Sequence, residues 1–301
     1  MRVAITGATG LIGTRLVAAL RARGDEVTVF SREAERAGQQ LGVNAVAWDP
    51  ALGPAPPEAL SLVDAVISLA GEPIAQRWSE AVKERIRSSR VTGTSNLVAG
   101  IADAEPRPAV LVSSSAAGYY GDRGGDLLPE SATPGDDFLA ELCVAWEEAA
   151  DRAAQLGLRV VKIRTGVVLD RGGGALAKML PPFKAFVGGP VAGGRQYMAW
   201  ISLDDLVGLY VAALSSDAWS GPVNGCAPSP VTNADFSHAL GRALHRPAVM
   251  PVPGFALRLL FGEMATVVAG GQRMVPARAL SLGYEFRHPR IEDGLRAALG
   301  R

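Results

Sequence analysis

The chain predicts an α/β fold, a Rossmann-type doubly wound parallel sheet with a smaller C-terminal substrate lobe. Three observations carry that expectation. A short apolar strand runs into a glycine turn and a helix at the N-terminus. Short apolar strands then alternate with helical patterns to about residue 170, and beyond that point the alternation weakens into glycine-rich loops.

The first element is Arg2-Val-Ala-Ile-Thr, an apolar run of the kind a buried parallel strand requires. Ile12, Leu16 and Leu20 follow at helical spacing, so the period changes at the turn Gly7-Ala-Thr9-Gly10-Leu11-Ile12-Gly13. Gly7 suits a tight turn, Gly10 lets backbone approach a pyrophosphate, and Gly13 lets helix and strand pack closely. The helix N-terminus adds free N–H groups and partial positive charge. A dinucleotide is the expected ligand, with Gly7, Thr9, Gly10, Leu11, Ile12 and Gly13 as its cradle.

Further strands are expected near 26–31, 44–48, 64–69, 108–113 and 158–164, and helices near 11–23, 78–102 and 137–156. Gly53-Pro-Ala-Pro-Pro57 reads as a surface connection, because a strand resumes at Ala65. After residue 170, glycines at 172–174, 188–189 and 193–194 bracket a helix near 175–186. A helix is expected to begin around Trp200, a capped one at Thr232-Asn-Ala-Asp235, and others near 253–262 and 264–272. The expected division is a nucleotide-binding part at 1–170, with segments near 200–225 returning to it, and a mainly substrate-binding lobe at 171–301.

Composition narrows the function. With 301 residues, 48% of them hydrophobic, the chain can bury a full core. Thirty basic and thirty acidic side chains give a net charge of zero, so no overall field recruits nucleic acid or an anionic membrane, and a small-molecule substrate is expected. A homo-oligomer is compatible with this composition. Two cysteines make no disulfide framework, the first strand begins at residue 2, and no apolar run reaches the roughly 20 residues of a membrane span. The expectation is a cytoplasmic protein. His238, His245 and His288 lack the company of a metal site, and no Gly-x-Ser-x-Gly elbow is present.

The second strand ends in Ser31-Arg32, where an NAD-preferring site would place an acid on the ribose hydroxyls. A guanidinium there suits a 2′-phosphate, with Ser31 as a second donor, so NADP(H) is the expected cofactor. Glu33 remains the alternative ribose ligand. Gly71, after Leu69-Ala70 at the end of the fourth strand, is either a cofactor contact or an ordinary turn glycine.

The Gly-x-x-Gly-x-x-Gly spacing at the N-terminus resembles the extended or atypical short-chain dehydrogenase/reductases. Leu69-Ala-Gly-Glu72-Pro, Ser88-Ser-Arg90-Val, Ser115-Ala-Ala-Gly-Tyr-Tyr-Gly121, Trp146-Glu147, Arg164-Thr-Gly-Val-Val168-Leu, Gly172-Gly-Gly, Asn224-Gly-Cys-Ala-Pro228 and Gly271-Gln-Arg-Met-Val-Pro276 narrow it to the epimerase-family (sugar-nucleotide-epimerase-like) proteins with a distinctive C-terminal segment. What that resemblance implies is a nicotinamide-binding fold in which Leu69, Ala70, Arg90 and Val168 lie along the cofactor. Glu84 and Arg85 compete for one further position.

An ordinary member of that superfamily follows its fifth strand with a serine and then carries Tyr-x-x-x-Lys on the next helix. Ser115 supplies the serine, with Ser114 as the alternative. Aligned on Trp146-Glu147, Leu139 stands at the tyrosine position and Cys143 at the lysine position. Neither replaces an acid/base or the ammonium that activates it. Tyr119 and Tyr120 are the substitute acids, on a loop over the nicotinamide position. Lys178, Arg195 and Tyr197 are either substrate contacts or solvated side chains. The function expected is an NADP(H)-dependent oxidoreductase or epimerase acting by hydride transfer on a small polar substrate, a nucleotide sugar among the options. Its rival is a catalytically weak NADP(H)-binding sensor or partner-binding protein.

Overall fold

Val3, Ala4 and Ile5 are fully buried because their strand, β1 (Arg2–Thr6), lies inside a parallel sheet covered on both faces. The chain continues through α1 (Leu11–Ala22), β2 (Glu26–Ser31), α2 (Ala34–Leu41), β3 (Asn44–Ala47), the single-turn α3 (Pro57–Leu60), β4 (Ala65–Ser68), α4 (Glu80–Ala102) and β5 (Val110–Ala116). Then come β6 (Leu127–Leu128), α5 (Phe138–Asp151), β7 (Arg159–Thr165), β8 (Val167–Leu169), α6 (Gly174–Lys184), β9 (Tyr197–Met198), β10 (Trp200–Ser202) and α7 (Leu203–Ser215). The last elements are β11 (Gly221–Gly225), β12 (Val231–Thr232), α8 (Asn233–Leu244), α9 (Gly254–Phe261), α10 (Ala265–Ala269), β13 (Arg273–Met274), α11 (Ala277–Ser281) and α12 (Ile291–Leu299). The computed structural model describes residues 1–301, with side chains for all but Ala256, Arg258, Leu260 and Phe261.

Seven strands form the main sheet in the order β11-β7-β5-β4-β1-β2-β3, all parallel. The doubly wound architecture read from the sequence is therefore present, and the order reverses between β1 and β4. Such sheets bind ligands beyond the carboxyl ends of their strands at that reversal. The period of two along β1 sends Val3 and Ile5 to one face, where Leu16 and Leu20 of α1 meet Leu206 and Leu209 of α7. Ala4 faces the opposite layer, with Leu97 and Ile101 of α4 and Ala150 of α5. A separate cluster gathers Leu176, Leu180 and Phe183 of α6, Phe236 and Leu240 of α8 and Leu295 of α12 around Trp200.

Several boundaries differ from the sequence expectation for local reasons. The helix expected from residue 78 starts at Glu80, because Ser79 is its N-cap and accepts the Val82 N–H at 3.3 Å. The one expected to run to 156 ends at Asp151, and Arg152–Leu156 tightens into a 3₁₀ turn closed by left-handed Gly157. Trp200 begins a strand paired with β8 rather than a helix, and α7 starts after the capping Ser202. The capped start at Thr232 is present, with reciprocal Thr232 and Asp235 hydrogen bonds. Strand β5 reaches Ala116 instead of 113, since β7 pairs with it from Val110↔Arg159 to Ala116↔Thr165. Ser113, Ser114 and Ser115 thus lie inside a strand.

The packing of α4 on the Pro-rich connection depends on Gly100, where a methyl group would stand 2.2 Å from the Ala55 carbonyl oxygen. Gly100→Ala is expected to destabilise the fold by about 1–3 kcal/mol through overpacking against backbone. Thermal unfolding followed by circular dichroism checks this, and an unchanged midpoint would contradict the packing.

Candidate functional site

Beyond the carboxyl ends of β1 and β4, three glycines divide the work of the turn. Gly7 has φ +69° and packs so tightly that a Cβ would lie 2.7 Å from Ala70 N and 2.8 Å from Leu69 C. Thr6 Oγ1 accepts the N–H groups of Leu69 at 3.2 Å and Ala70 at 3.3 Å, which seats the end of β4 beside the turn. Gly13 is equally constrained, its Cβ position lying 2.5 Å from Ala8 Cα. Gly10 is different: the nearest atom to a Cβ there is Gly7 O at 3.4 Å, an ordinary contact. Protein packing fills the space at Gly7 and Gly13 and leaves it open at Gly10.

Gly10 is also the N-cap of α1, extended at φ −76° and ψ 174°, and makes no side-chain cap. The first helical bond runs from Thr14 N–H to Gly10 O at 2.9 Å, so the Leu11, Ile12 and Gly13 amides precede the ladder. No acidic residue lies in that first turn. Thr9 and Gly10 are exposed and Leu11 and Ile12 half-buried at the same rim. This is a cradle of the kind that holds a pyrophosphate, and its shape fits a dinucleotide.

At the end of β2, Ser31 Oγ accepts the Glu33 N–H at 3.2 Å. Glu33 is engaged by Arg36 at 2.9 Å, whereas Arg32 is exposed and has no hydrogen-bond or ion-pair partner among the described residues. Leu69 and Ala70 are half-buried, Gly71 is exposed, and Val168 sits half-buried in β8 against the main core. Arg90, on α4, reaches beneath Gly71 and donates to Glu72 O at 2.9 Å. Glu84 is exposed, and Arg85 lies 4.0 Å from Glu72.

Above β5 and β7 the polar groups are tied together. Ser115 is 3% exposed and donates to Glu147 Oε1 at 2.7 Å. Glu147 holds Arg164 through two parallel bonds of 2.8 and 2.9 Å, and both side chains are buried. Arg164 also donates to Tyr120 Oη at 3.0 Å and Glu130 O at 3.1 Å, and Tyr120 donates to Asn224 Oδ1 at 2.7 Å. Burial opposes the Arg164 charge, but Glu147 outweighs it and raises the guanidinium above its ordinary value. Burial pushes the Tyr120 phenol up to about 12. Ser114 is bonded to Tyr210 Oη at 2.7 Å. Of the hydroxyls proposed from sequence, Ser115, Ser114 and Tyr120 are therefore spent inside the protein.

Tyr119 is the exception. Its ring lies under Arg164, with the guanidinium carbon 3.4 Å from the ring centroid. Its hydroxyl has no partner among the described residues and is not among the buried unpaired polar atoms. On α5, Leu139 packs under Gly118, and the Cys143 thiol is pushed up to about 12, first by burial and then by Glu147. Lys178 reaches Ala75 O at 3.2 Å, Arg195 is exposed, and Arg273 lies over the Tyr197 ring at 4.9 Å. Sequence reasoning missed Glu147, Arg164, Glu130 and Asn224 as one network. Three of them stood in quoted motifs, but nothing local joins them. Among the described residues no three His, Cys, Asp or Glu gather to hold a metal, and no helix is long and apolar enough to cross a membrane.

The unequal glycines give a test. Gly10→Val is expected to leave the thermal midpoint within a few degrees while weakening nucleotide binding at least about tenfold, since its side chain meets the ligand's space and not the protein's. Gly13→Ala is expected to lower the midpoint itself. Calorimetry and thermal melts of both variants check the division, and a Gly10→Val protein with undiminished nucleotide affinity would remove the cradle.

Comparison with known proteins agrees with this geometry. Residues 3–224 match the NAD dependent epimerase/dehydratase family, and residues 252–298 match a domain of unknown function, DUF1731. The chain is 44% identical over 304 residues to the "Epimerase family protein SDR39U1 homolog, chloroplastic" of Arabidopsis thaliana, covering 99% of this chain and 87% of that protein. It is 37% identical over 301 residues to the human epimerase family protein SDR39U1, covering 98% of this chain and 99% of that one. The crystal structure of human SDR39U1 (isoform 2) with NADPH superposes at a TM-score of 0.90 with 36% identity, over 100% of both chains. A UDP-glucuronic acid 4-epimerase from Bacillus cereus shares the fold at a TM-score of 0.80 and 17% identity, over 100% of this chain and 98% of that one. The chain belongs to the NAD dependent epimerase/dehydratase family, as an SDR39U1-like member with a C-terminal DUF1731 domain.

Proposed function

We propose that this protein binds NADP(H) and uses it in hydride transfer to or from a small polar substrate, as a reductase or an epimerase. The observation that carries the reading is the crevice at Gly10, where backbone amides and open space coincide between two glycines closed by protein packing. When bound, the nicotinamide supplies or accepts a hydride. Gly7, Thr9, Gly10, Leu11, Ile12 and Gly13 form the pyrophosphate cradle, Ser31 and Arg32 take the 2′-phosphate, and Leu69, Ala70, Gly71 and Val168 line the remainder. The free Arg32 and the engaged Glu33 support NADP(H) over NAD(H), as does the NADPH in the human relative's crystal structure. Residues 1–170 with the 200–225 return are the cofactor-binding part, and 171–301 are mainly the substrate lobe.

Tyr119 is the proton donor in this reading, because its hydroxyl alone among the candidates is not already bonded within the protein. Ser115 and Tyr120 act as structure. A second reading, an NADP(H)-binding protein without turnover, is favoured by one observation: Leu139 and Cys143 of α5 are buried where the superfamily's Tyr and Lys would stand. NADPH oxidation against a panel of carbonyl substrates separates the two, since tight binding with no oxidation supports the second.

NADPH is expected to bind more tightly than NADH, and Arg32→Ala to weaken NADPH by about 10–100-fold while leaving NADH nearly unchanged. Equal affinities in the unmodified protein would overturn the cofactor assignment. With a turned-over substrate in hand, Tyr119→Phe is expected to lower kcat by about 10²–10⁴-fold without loss of NADPH binding. Near-normal turnover in that variant would remove Tyr119 from the mechanism.

A further inference from the structure

The net charge of zero conceals a segregated surface. Residues 171–203 contain Arg171, Lys178, Lys184 and Arg195 but no Asp or Glu, and residues 236–262 contain Arg242, Arg246 and Arg258 and again no acid. The fold brings these two acid-free stretches together. Val191 bridges to Val252 in parallel, Val252 N–H donates to Pro190 O at 2.9 Å, Ala192 N–H to Val252 O at 2.9 Å and Met250 N–H to Gly188 O at 3.3 Å. The segment that follows α6 therefore lies alongside the segment that leads into α9.

Apolar side chains project from the same seam. Phe186, Val187, Val249 and Met250 are each more than half exposed, and Phe255 and Leu259, one turn apart on α9, are each 76% exposed. The display of Phe186 is strained. Val187 N–H returns to Pro182 O at 3.0 Å and Phe186 N–H to Phe183 O at 3.1 Å, which closes α6 with Phe186 at φ +64°, the left-handed position where glycine is standard. An aromatic ring held in a strained helix stop and turned to solvent adds little to the fold and much to the surface. The Arg246 guanidinium stands 4.6 Å over that ring, and neither Arg246 nor the exposed Lys184 has an ion-pair partner among the described residues. Arg242 is the cation of this face that is already answered, by Glu292 at 3.0 Å.

The charge and shape of the face select its occupant. A second copy meeting it about a two-fold axis would set Lys184 and Arg246 against the same cations, with no acid from either stretch to answer them. An acidic protein segment would want a groove, whereas Phe255 and Leu259 protrude. Protruding aromatic and aliphatic chains beside unpaired cations suit an anionic bilayer, whose acyl boundary takes the first and whose phosphates take the second. We propose that the face formed by residues 184–187, 246–250 and α9 docks on an anionic lipid surface. Phe186, Met250, Phe255 and Leu259 enter the bilayer interface, and Lys184 and Arg246 meet the lipid phosphates. None of these residues belongs to the glycine cradle, so the proposal stands apart from the NADP(H) reading.

Co-sedimentation of the full chain with vesicles of phosphatidylcholine alone, and of phosphatidylcholine carrying about a third phosphatidylglycerol, tests it. The protein is expected to bind the anionic vesicles at least about tenfold more tightly than the neutral ones, and to be released as salt rises. Phe186→Gly is expected to weaken that binding about tenfold without lowering the thermal midpoint, since glycine relieves the left-handed position. Phe255→Ser should act in the same direction, and the double variant Lys184→Glu, Arg246→Glu should abolish the preference for anionic lipid. No binding, equal binding to both vesicle types, or binding untouched by Phe186→Gly and Phe255→Ser would overturn the proposal. Binding to soluble poly-glutamate as tight as to the anionic vesicles would overturn it in favour of an acidic protein partner. A protein that ignores vesicles and forms a dimer that Phe255→Ser dissolves would give the face to a second copy.

Discussion

The buried Glu147–Arg164 pair is the contact on which the chemistry of this site turns. It joins α5 to β7, and through further bonds it fixes β5 at Ser115, the loop at Tyr120 and Glu130, and β11 by way of Asn224. Two desolvated charges stabilise a fold only if every donor and lone pair is matched, and removing one partner of such a pair typically costs about 3–5 kcal/mol. The matching here is close: Arg164 uses Nε, Nη1 and Nη2, and Glu147 uses both oxygens. The hydroxyls that complete it are the ones a catalytic site would otherwise have drawn on.

That matching changes what α5 does. In the ordinary pattern this helix carries the acid and the activating ammonium. Here Leu139 and Leu142 pack with Val82 and Ile86 of α4, and Cys143 is a buried thiol. The helix packs beside α4 in the layer that covers one face of the sheet. Two cations flank it on neighbouring elements, Arg90 on α4 and Arg164 on β7, and both lie against rings: Trp146 for the first and Tyr119 for the second. Stacking on a ring face fixes the plane of a guanidinium while its N–H groups bond in that plane, as all three nitrogens of Arg164 do.

Much of the fold was legible because its signals are local. The strand, glycine turn and helix at the N-terminus lie within 2–22, and the period change marks the boundary by itself. Helix α2 left little trace, since only Ala37 and Leu41 of its eight residues are buried. At the site, the adjacent Tyr119 and Tyr120 look alike in sequence. Their difference comes from Asn224, 104 residues beyond Tyr120, and from the face each ring turns to Arg164. Ser115 read as a strand-end hydroxyl because the length of β5 is set by β7, and nothing within residues 110–116 announces that pairing. Pairings between distant residues decide which polar groups remain free.

The C-terminal segments bear on the crevice from two sides. Gly173, before α6, leaves room for Leu11 of the cradle, and Lys178 of that helix reaches the carbonyl of Ala75 in the loop after β4. Across the crevice, Glu263 pairs with Lys83 of α4 at 2.7 Å, and Arg77 of the same loop donates to Leu259 O at 3.4 Å. The 71–79 loop therefore takes contacts from two separate segments of the second half of the chain, α6 and α9, while leading directly into α4. Surface ion pairs and single carbonyl bonds of this kind are individually weak, on the order of 0–1 kcal/mol for the ion pair, so they fasten this side of the crevice far less firmly than the buried, fully bonded Glu147–Arg164 pair fastens the other.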